Sequence, residues 1–190
     1  MTIGPPGGAG GDVFSHREAG SRIGSRLMGS TFLETPRLEL VLLGPETARA
    51  LAAGINRNGH CWADGYPLSS SLLSAELTAA AAAYDRPLGA FGTYQLVRRA
   101  DGCVIGDAGF LGPPDETGAV SLGCAITEDA RGQGYATEAL TALLEWARGQ
   151  TGLTCVLADT TRSNLASQRL LERVGMHRVG EDGELIYYML

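Results

Sequence analysis

The sequence predicts one mixed α/β domain in which helices cover both faces of a twisted, mostly antiparallel sheet of about seven strands. Short apolar runs bounded by turn residues recur along the chain, as strands do. Other segments place apolar residues three and four positions apart, as amphipathic helices do. One such helix, at 136–148, joins two strands in β-α-β order. We therefore expect a single parallel crossover among antiparallel neighbours.

The domain is expected to follow an N-terminal tail. The 190 residues are 44% hydrophobic and 19% charged, which is typical of a globular protein. Residues 1–30 differ, because they hold eight of the 27 glycines, four serines and no sustained periodicity. We interpret 1–30 as a flexible Gly/Ser-rich tail and 31–190 as the domain. Whether Met28 is the true start, or the tail is a disordered arm of the native protein, stays open.

The N-terminal half reads as a strand, two helices and a meander. The apolar run 37–43 predicts a strand, and Pro45 then opens a helix that extends to about residue 54. A polar loop at 56–71 precedes an alanine-rich helix at 71–84. Strands at 93–98 and 103–111 flank Asp101-Gly102, a hairpin signal, and a third strand follows at 120–126.

The C-terminal half supplies the crossover and a final hairpin. A loop at 127–135 contains two glycines and leads into the helix at 136–148, which ends at Gly149. A buried strand at 154–158 and a helix at 164–174 follow. Gly175 stops that helix, and the last two strands, 176–179 and 185–189, flank Asp182-Gly183.

Charge and composition exclude several classes of protein. The net charge is -6, whereas nucleic-acid-binding proteins usually carry a basic surface. No apolar stretch reaches the about 18 residues of a membrane helix, and the N-terminus lacks the apolar core of a signal peptide. The four cysteines have no metal-ligand spacing, so we expect reduced thiols, no metal and a cytoplasmic location. The four cysteines are Cys61, Cys103, Cys124 and Cys155.

The loop around Gly132 and Gly134 is the most informative stretch. Two glycines between a strand and a helix let the backbone approach a ligand closely, and the free N–H groups of the helix start attract anions. The pattern suits a pyrophosphate, with Arg131 as a further donor. A dinucleotide fingerprint would need a third glycine where Thr137 stands, and no P-loop Gly-Lys ending is present. A plain strand-to-helix turn is the simpler alternative.

The surrounding residues resemble a known family. Arg131-x-x-Gly134-x-Ala136 resembles the acetyl-CoA loop of the GNAT N-acetyltransferase superfamily, and the helix opening at 135–139 resembles its ribosomal-protein N-terminal (alanine/serine) acetyltransferase branch. The helix beginning Asn164-x-x-Ser167 and ending at Gly175-Met176 is similar to that branch too. The resemblance extends from about residue 37 to residue 190 and implies a GNAT-like fold with acetyl-CoA as cosubstrate.

The resemblance also implies roles for residues of the cofactor site. The backbone of Ala125 and Ile126 would pair with the pantetheine arm, and the backbone N–H of Cys124 would polarise the thioester carbonyl. Asn164 would contact the pantetheine region or only cap its helix, and Ser167 would approach the thioester sulfur or only pack. The N–H groups that would hold the pyrophosphate belong to six consecutive residues: Arg131, Gly132, Gln133, Gly134, Tyr135 and Ala136.

The proton-transfer residues are less evident, because two positions depart from the family. Ser121 stands where many relatives carry a glutamate, and Leu171 where many carry a tyrosine. The remaining carboxylates are Asp159, which we assign to catalysis, and Asp107, Glu181 and Glu184. For each of them a solvated surface carboxylate is the simpler interpretation, and water could serve instead. The loop at 60–67 would supply an acceptor wall or only pack; its candidate substrate-binding residues are Trp62, Asp64 and Tyr66.

The expected function is direct transfer of an acetyl group from acetyl-CoA to a primary amine within a ternary complex. The acceptor is expected to be a protein N-terminus or a small-molecule amine, with no nucleic acid or membrane as partner. A non-catalytic acyl-CoA-binding sensor of the same fold is the alternative, motivated by Ser121 and Leu171. A nicotinamide oxidoreductase would need the missing glycine. The sequence leaves the oligomeric state open, a homodimer included.

Overall fold

The computed structural model describes residues 32–190, so the predictions for the tail at 1–30 and for Met28 lie outside the described residues. Nine strands and four α-helices, with short 3-10 helices at Gly89–Phe91 and Glu128–Ala130, make up this part of the chain. In chain order they are β1 (Phe32–Glu34), β2 (Leu38–Leu42), α1 (Pro45–Ala52), β3 (Cys61–Trp62), α2 (Ser69–Ala83), β4 (Thr93–Arg98), β5 (Cys103–Phe110), β6 (Ala119–Ile126), α3 (Tyr135–Arg148), β7 (Cys155–Thr161), α4 (Leu165–Arg173), β8 (His177–Asp182) and β9 (Leu185–Met189).

One sheet contains all nine strands, in the order β1-β2-β4-β5-β6-β7-β9-β8, with β3 added beside β5. The pairs are antiparallel except β6–β7, which α3 connects, and the two-residue pair β3–β5. The predicted mixed α/β class and its single β-α-β crossover are confirmed. The predicted number of about seven strands is too low, because β1 and β3 are only three and two residues long and carry no alternation to detect.

Two apolar clusters hold the helices against opposite faces of the sheet. The α3 helix buries one stripe, Ala139, Leu140, Leu143, Leu144 and Ala147, on the larger cluster. The α1 and α2 helices cover the other face through a smaller cluster that includes Leu51, Ala75 and Val97. At about 25 cal/mol per Å² of buried apolar surface, such clusters are the main stabilising contribution.

A β-bulge in β5 decides which face receives Asp107. Gln95 of β4 lies opposite Asp107, and Val97 lies opposite Val104, so two steps on β4 match three on β5. The extra residue turns Asp107 toward α2 and away from the α3 face, where strict alternation from Ile105 would have directed it.

A disulfide joins Cys61 and Cys103, across the β3–β5 pair. The expectation of four reduced thiols is therefore wrong for these two residues, whereas Cys124 and Cys155 are free. The pairing could not be inferred from spacing, because 42 residues separate the two cysteines and β3 was not predicted. Within residues 32–190, no helix combines the length and the apolar character that crossing a membrane requires.

Candidate active site

A cleft opens where β6 and β7 diverge. The two parallel strands pair only at 119–121 and 155–157, so the β7-facing edge of β6 from Leu122 to Ile126 has no strand partner there. The cleft has a volume of ≈ 650 Å³ and is walled by β6, the 130–137 segment and α4. Unpaired N–H and C=O groups along a strand edge can accept an extended ligand as an additional strand.

The glycine-rich loop forms the second wall of the cleft. Gly132 and Gly134 have φ angles of 73° and 83°, which only glycine adopts without strain. Gly134 is the N-cap of α3 and offers no side chain, so the first N–H groups of the helix are not capped by that residue. Together with the helix dipole, these groups can bind an anion.

Not all of the predicted loop residues line the cleft. Arg131, Gly132, Gly134, Tyr135 and Ala136 line it, but Gln133 does not. The Gln133 side chain instead donates to the Asp129 carbonyl at 2.9 Å. The Arg131 Nε–H donates to the Ile126 carbonyl at 3.1 Å, which ties the loop to the end of β6.

Helix α4 supplies the opposite wall. The backbone N–H of Ser167 donates to Asn164 Oδ1 at 3.1 Å, so Asn164 caps the helix, and both residues also line the cleft. Sequence reasoning missed Arg169 and Arg173, which line the cleft as well. Their spacing of four residues on a helix that faces an anion site could have revealed them.

Three predicted catalytic residues meet at a small cavity beside the cleft. Cys124, Asp159 and Ser167 are among the residues around this cavity of ≈ 60 Å³, and Cys124 and Ser167 also border the large cleft. Burial, together with the nearby charge of Asp107, raises the pKa of the Cys124 thiol to about 12. The thiol is therefore protonated at neutral pH, which makes it a poor nucleophile.

The predicted acceptor residues Trp62, Asp64 and Tyr66 line neither cavity. Tyr66 is buried; its hydroxyl donates to Asp107 Oδ1 at 2.9 Å and accepts from Gln95 Nε2 at 2.9 Å. The Trp62 ring packs edge to face on Tyr66, with the ring centroids 5.6 Å apart. The two aromatic side chains thus anchor the 60–67 loop on β4 and β5.

Of the four carboxylates considered from sequence, Asp107 is not solvated. Its side chain is buried and accepts hydrogen bonds from Ser71 and Tyr66, which corrects the expectation of a surface carboxylate. Glu181 forms ion pairs with Arg162, at 2.8 Å, and with Arg178. Asp159 is exposed and borders the small cavity.

The sheet face next to Asp159 is open and partly apolar. In β9, Tyr187 lies opposite Asp159 and Met189 lies opposite Leu157. All three neighbours are exposed, at 36% for Leu157, 37% for Tyr187 and 41% for Met189. Within residues 32–190, no three His, Cys, Asp or Glu side chains are grouped as metal ligands.

The sequence is similar to those of known acetyltransferases. The sequence model of the acetyltransferase (GNAT) domain matches residues 37–177. The uncharacterized N-acetyltransferase YjdG of Bacillus subtilis is 33% identical over 100 residues, which are 51% of this chain and 60% of that protein. The match therefore spans less than two thirds of that relative.

Solved structures extend the similarity to the fold. A structure assigned to the GNAT acetyltransferases of Bordetella pertussis superposes with a TM-score of 0.59 and 27% identity, over 84% of this chain and 99% of that chain. The ribosomal L7/L12 α-N-protein acetyltransferase RimL, in complex with coenzyme A, superposes with a TM-score of 0.60 and 16% identity, over 82% and 94%. The family resemblance stated from the motifs is thereby confirmed.

Proposed function

The chain belongs to the GNAT acetyltransferase family, and on this premise we propose that it transfers the acetyl group of acetyl-CoA directly to a primary amine in a ternary complex. One observation carries the proposal. The cleft along the unpaired edge of β6 and the small cavity at Asp159 share Cys124 and Ser167 as walls. A thioester held in the cleft would thus meet an acceptor from the open sheet face.

The cleft residues fit acetyl-CoA, which supplies the activated acetyl group when bound. The backbone of Ile126 would pair with the pantetheine arm, beside Asn164. Ala125 also lines the cleft, but it lies opposite Asp107 in the register in which β6 bonds to β5, so its backbone groups are directed to β5. The N–H groups of residues 131–136 would hold the pyrophosphate at the start of α3. Arg169 and Arg173 add positive charge to a site for an anionic ligand, although the chain as a whole is acidic.

Residues at the small cavity would carry out the proton transfers of the reaction. An ammonium group has no lone pair, so the acceptor must lose a proton before nitrogen attacks the carbonyl carbon. Asp159 is the exposed carboxylate at that place and would accept this proton. The backbone N–H of Cys124 would polarise the carbonyl oxygen. As the carbon–sulfur bond breaks, the Ser167 hydroxyl would donate a hydrogen bond to sulfur, and the second proton of the attacking nitrogen would pass to the departing thiolate.

We propose a peptide N-terminus as the favoured acceptor over a polyamine or an aminoglycoside. Asp159 stands among Leu157, Tyr187 and Met189, so this face combines one carboxylate with exposed apolar side chains. That combination suits one charged amine followed by apolar groups, whereas a polycation would need several carboxylates. The likeness to RimL, whose name describes an α-N-protein acetyltransferase, supports the same choice.

The test is release of free thiol from acetyl-CoA with an amine panel of N-terminal peptides, lysine peptides, amino acids, polyamines and aminoglycosides. The sequence contains 15 arginines and no lysine, so no side-chain amine of the protein itself can be acetylated and add to the background thiol release. Calorimetric binding of CoA is measured in parallel. Binding without release from any amine would favour a sensor, and no binding would refute the cofactor site.

A variant pair tests Asp159 itself. We expect Asp159→Asn to lower kcat/KM by about 100-fold at pH 7, the lower end of the usual contribution of a general base. The loss should shrink as the pH rises, because the amine then loses its proton to water. Asp182→Asn, an exposed carboxylate on β8, is the matched control and should stay within about twofold. Equal activity in both variants would remove Asp159 from the mechanism.

A further inference from the structure

Arg37, in the turn between β1 and β2, reaches across the molecule to the glycine-rich loop and α3. Its Nη1–H donates to the Gln133 carbonyl at 2.8 Å, and its Nε–H donates to Glu138 Oε2 at 2.6 Å. Its guanidinium carbon lies 4.6 Å from the centre of the Tyr135 ring. Arg37 itself does not line the cleft, although Tyr135 does.

The carbonyl contact fixes the orientation of one peptide group. In a trans peptide the C=O and the next N–H point in opposite directions. Because the Gln133 oxygen is held toward Arg37, the N–H of Gly134 is directed away from Arg37, and Gly134 lines the cleft. Glycine imposes little steric barrier to a rotated peptide, so the loop's own sequence does not determine this orientation.

Glu138 holds Arg37 in the position that this contact requires. Besides the Nε contact, Glu138 Oε1 accepts the backbone N–H of Arg37 at 2.8 Å and the Thr35 hydroxyl at 2.6 Å. Burial alone would raise the pKa of Glu138, but the hydrogen bonds and charge of Thr35 and Arg37 hold it below its ordinary value. The ion pair therefore persists at neutral pH, and the carboxylate lies in the first turn of α3, where the helix dipole favours it.

We propose that Arg37 is a positioning residue for the pyrophosphate of the nucleotide cosubstrate. It orients the 133–134 peptide so that the Gly134 N–H is presented to the ligand, and Glu138 anchors it. The inference rests on the proposed function, because it assumes that the 131–136 loop binds a pyrophosphate. It adds a residue from the N-terminal hairpin, 96 residues away from Gln133, to a site otherwise built from β6, α3 and α4.

The test compares Arg37→Gln with Arg99→Gln in calorimetric binding of acetyl-CoA. Arg99 is a matched control, because it is similarly exposed and pairs with Glu34 at 3.0 Å on the same edge of the sheet. We expect at least about a 10-fold weaker Kd for Arg37→Gln, which corresponds to about 1.4 kcal/mol, and less than a twofold change for Arg99→Gln. The kcat at saturating acetyl-CoA should change little, so the loss falls on KM for acetyl-CoA.

A truncated substrate separates positioning from general damage. S-acetylpantetheine lacks the pyrophosphate, so its kcat/KM should be the same in the wild-type protein and in Arg37→Gln. The inference would be overturned if Arg37→Gln lowered kcat/KM with both substrates, or if Arg37→Gln bound acetyl-CoA as tightly as the wild-type protein does. If the wild-type protein did not bind CoA, the proposed function would fail instead, and the two failures are thereby distinguishable.

Glu138→Gln decides between positioning and a simple charge effect. If Arg37 acted only as a positive charge near the phosphates, removal of the opposing carboxylate would tighten acetyl-CoA binding. If Glu138 anchors Arg37, as we propose, binding should weaken by about threefold, within the range of one ordinary hydrogen bond. Tighter binding would refute the anchoring role.

Discussion

The buried carboxyl group of Asp107 makes a specific prediction about stability and pH. The side chain is 5% exposed, accepts hydrogen bonds from Ser71 and Tyr66, and no arginine pairs with it within residues 32–190. Burial raises its pKa from 3.8 to about 6, and the two hydrogen bonds offset only part of that effect. We predict that Asp107→Asn stabilises the protein at pH 8 and destabilises it at pH 4.

The sign follows from proton linkage. Between pH 3.8 and about 6 the folded protein retains a proton that the unfolded chain has released, so the free energy of unfolding falls as the pH rises through this window. At 1.36 kcal/mol per pKa unit, the ionised group costs about 3 kcal/mol above pH 6. Asparagine is neutral throughout but loses about 1 kcal/mol of hydrogen bonding. The variant should thus be about 2 kcal/mol more stable at pH 8 and about 1 kcal/mol less stable at pH 4.

The assay is urea unfolding at pH 4, 6 and 8, followed by tryptophan fluorescence. Asp115→Asn is the control, because Asp115 is an exposed aspartate whose pKa is lowered by hydrogen bonds from the Thr117 side chain and the Ala119 backbone. Asp115 therefore stabilises the fold above its ordinary pKa, and that contribution is lost as the pH falls, the opposite sign to Asp107. An Asp107→Asn variant that is destabilised equally at pH 4 and pH 8 would refute the reasoning.

Three further predictions address the site and its support. Gly134→Val should abolish CoA binding, since φ is 83° at this position and a Cβ atom would lie 3.4 Å from Arg37 Nη2; calorimetry on the folded variant checks this. Cys124→Ala should keep at least about half of the wild-type kcat, because the thiol has a pKa of about 12 and only the backbone N–H is assigned a role; a loss above about 100-fold would indicate covalent catalysis. Cys103→Ser should lower the free energy of unfolding by up to about 4 kcal/mol, as expected for a loop of this length, and addition of a reductant should have the same effect on the wild-type protein but none on the variant.

Local patterns made much of the cofactor side predictable. The α3 helix follows from its apolar spacing, and the loop before it follows from Gly132 and Gly134, because both signals depend on neighbouring residues only. The cleft lies between that loop and the helix that starts after Asn164, the two segments to which the resemblance assigned the cofactor. Arg37 was missed as a contact of the loop, since nothing near residue 37 indicates a partner 96 residues away.

The packing of the 60–67 loop depends on contacts that a linear sequence does not show. From the sequence, Tyr66 is a candidate either for binding the acceptor or for packing. A bulge in β5 places Asp107 beside it, and the Tyr66 hydroxyl donates a hydrogen bond to that carboxyl group. The disulfide was missed for a related reason, since it requires the short β3 strand to pair in register with β5.

Strand β6 lies between β5 and the cleft, and the backbone is the part of β6 that a ligand in the cleft would contact. This explains why β6 carries few reactive side chains there. Its segment 123–125 reads Gly-Cys-Ala, with small side chains. The β5-facing edge of that segment is bonded to the strand that carries Asp107, and the β7-facing edge is left unpaired at the cleft. Small side chains let a ligand approach the backbone closely, so recognition there can rest on N–H and C=O groups. On the proposed mechanism, side-chain chemistry would then come from the neighbours that border the small cavity: Asp159 on β7 and Ser167 on α4. A larger side chain on β6 should consequently lower activity by keeping the ligand away from the backbone. A substitution of Asp159 on β7 or of Ser167 on α4 should instead lower activity by removing a functional group.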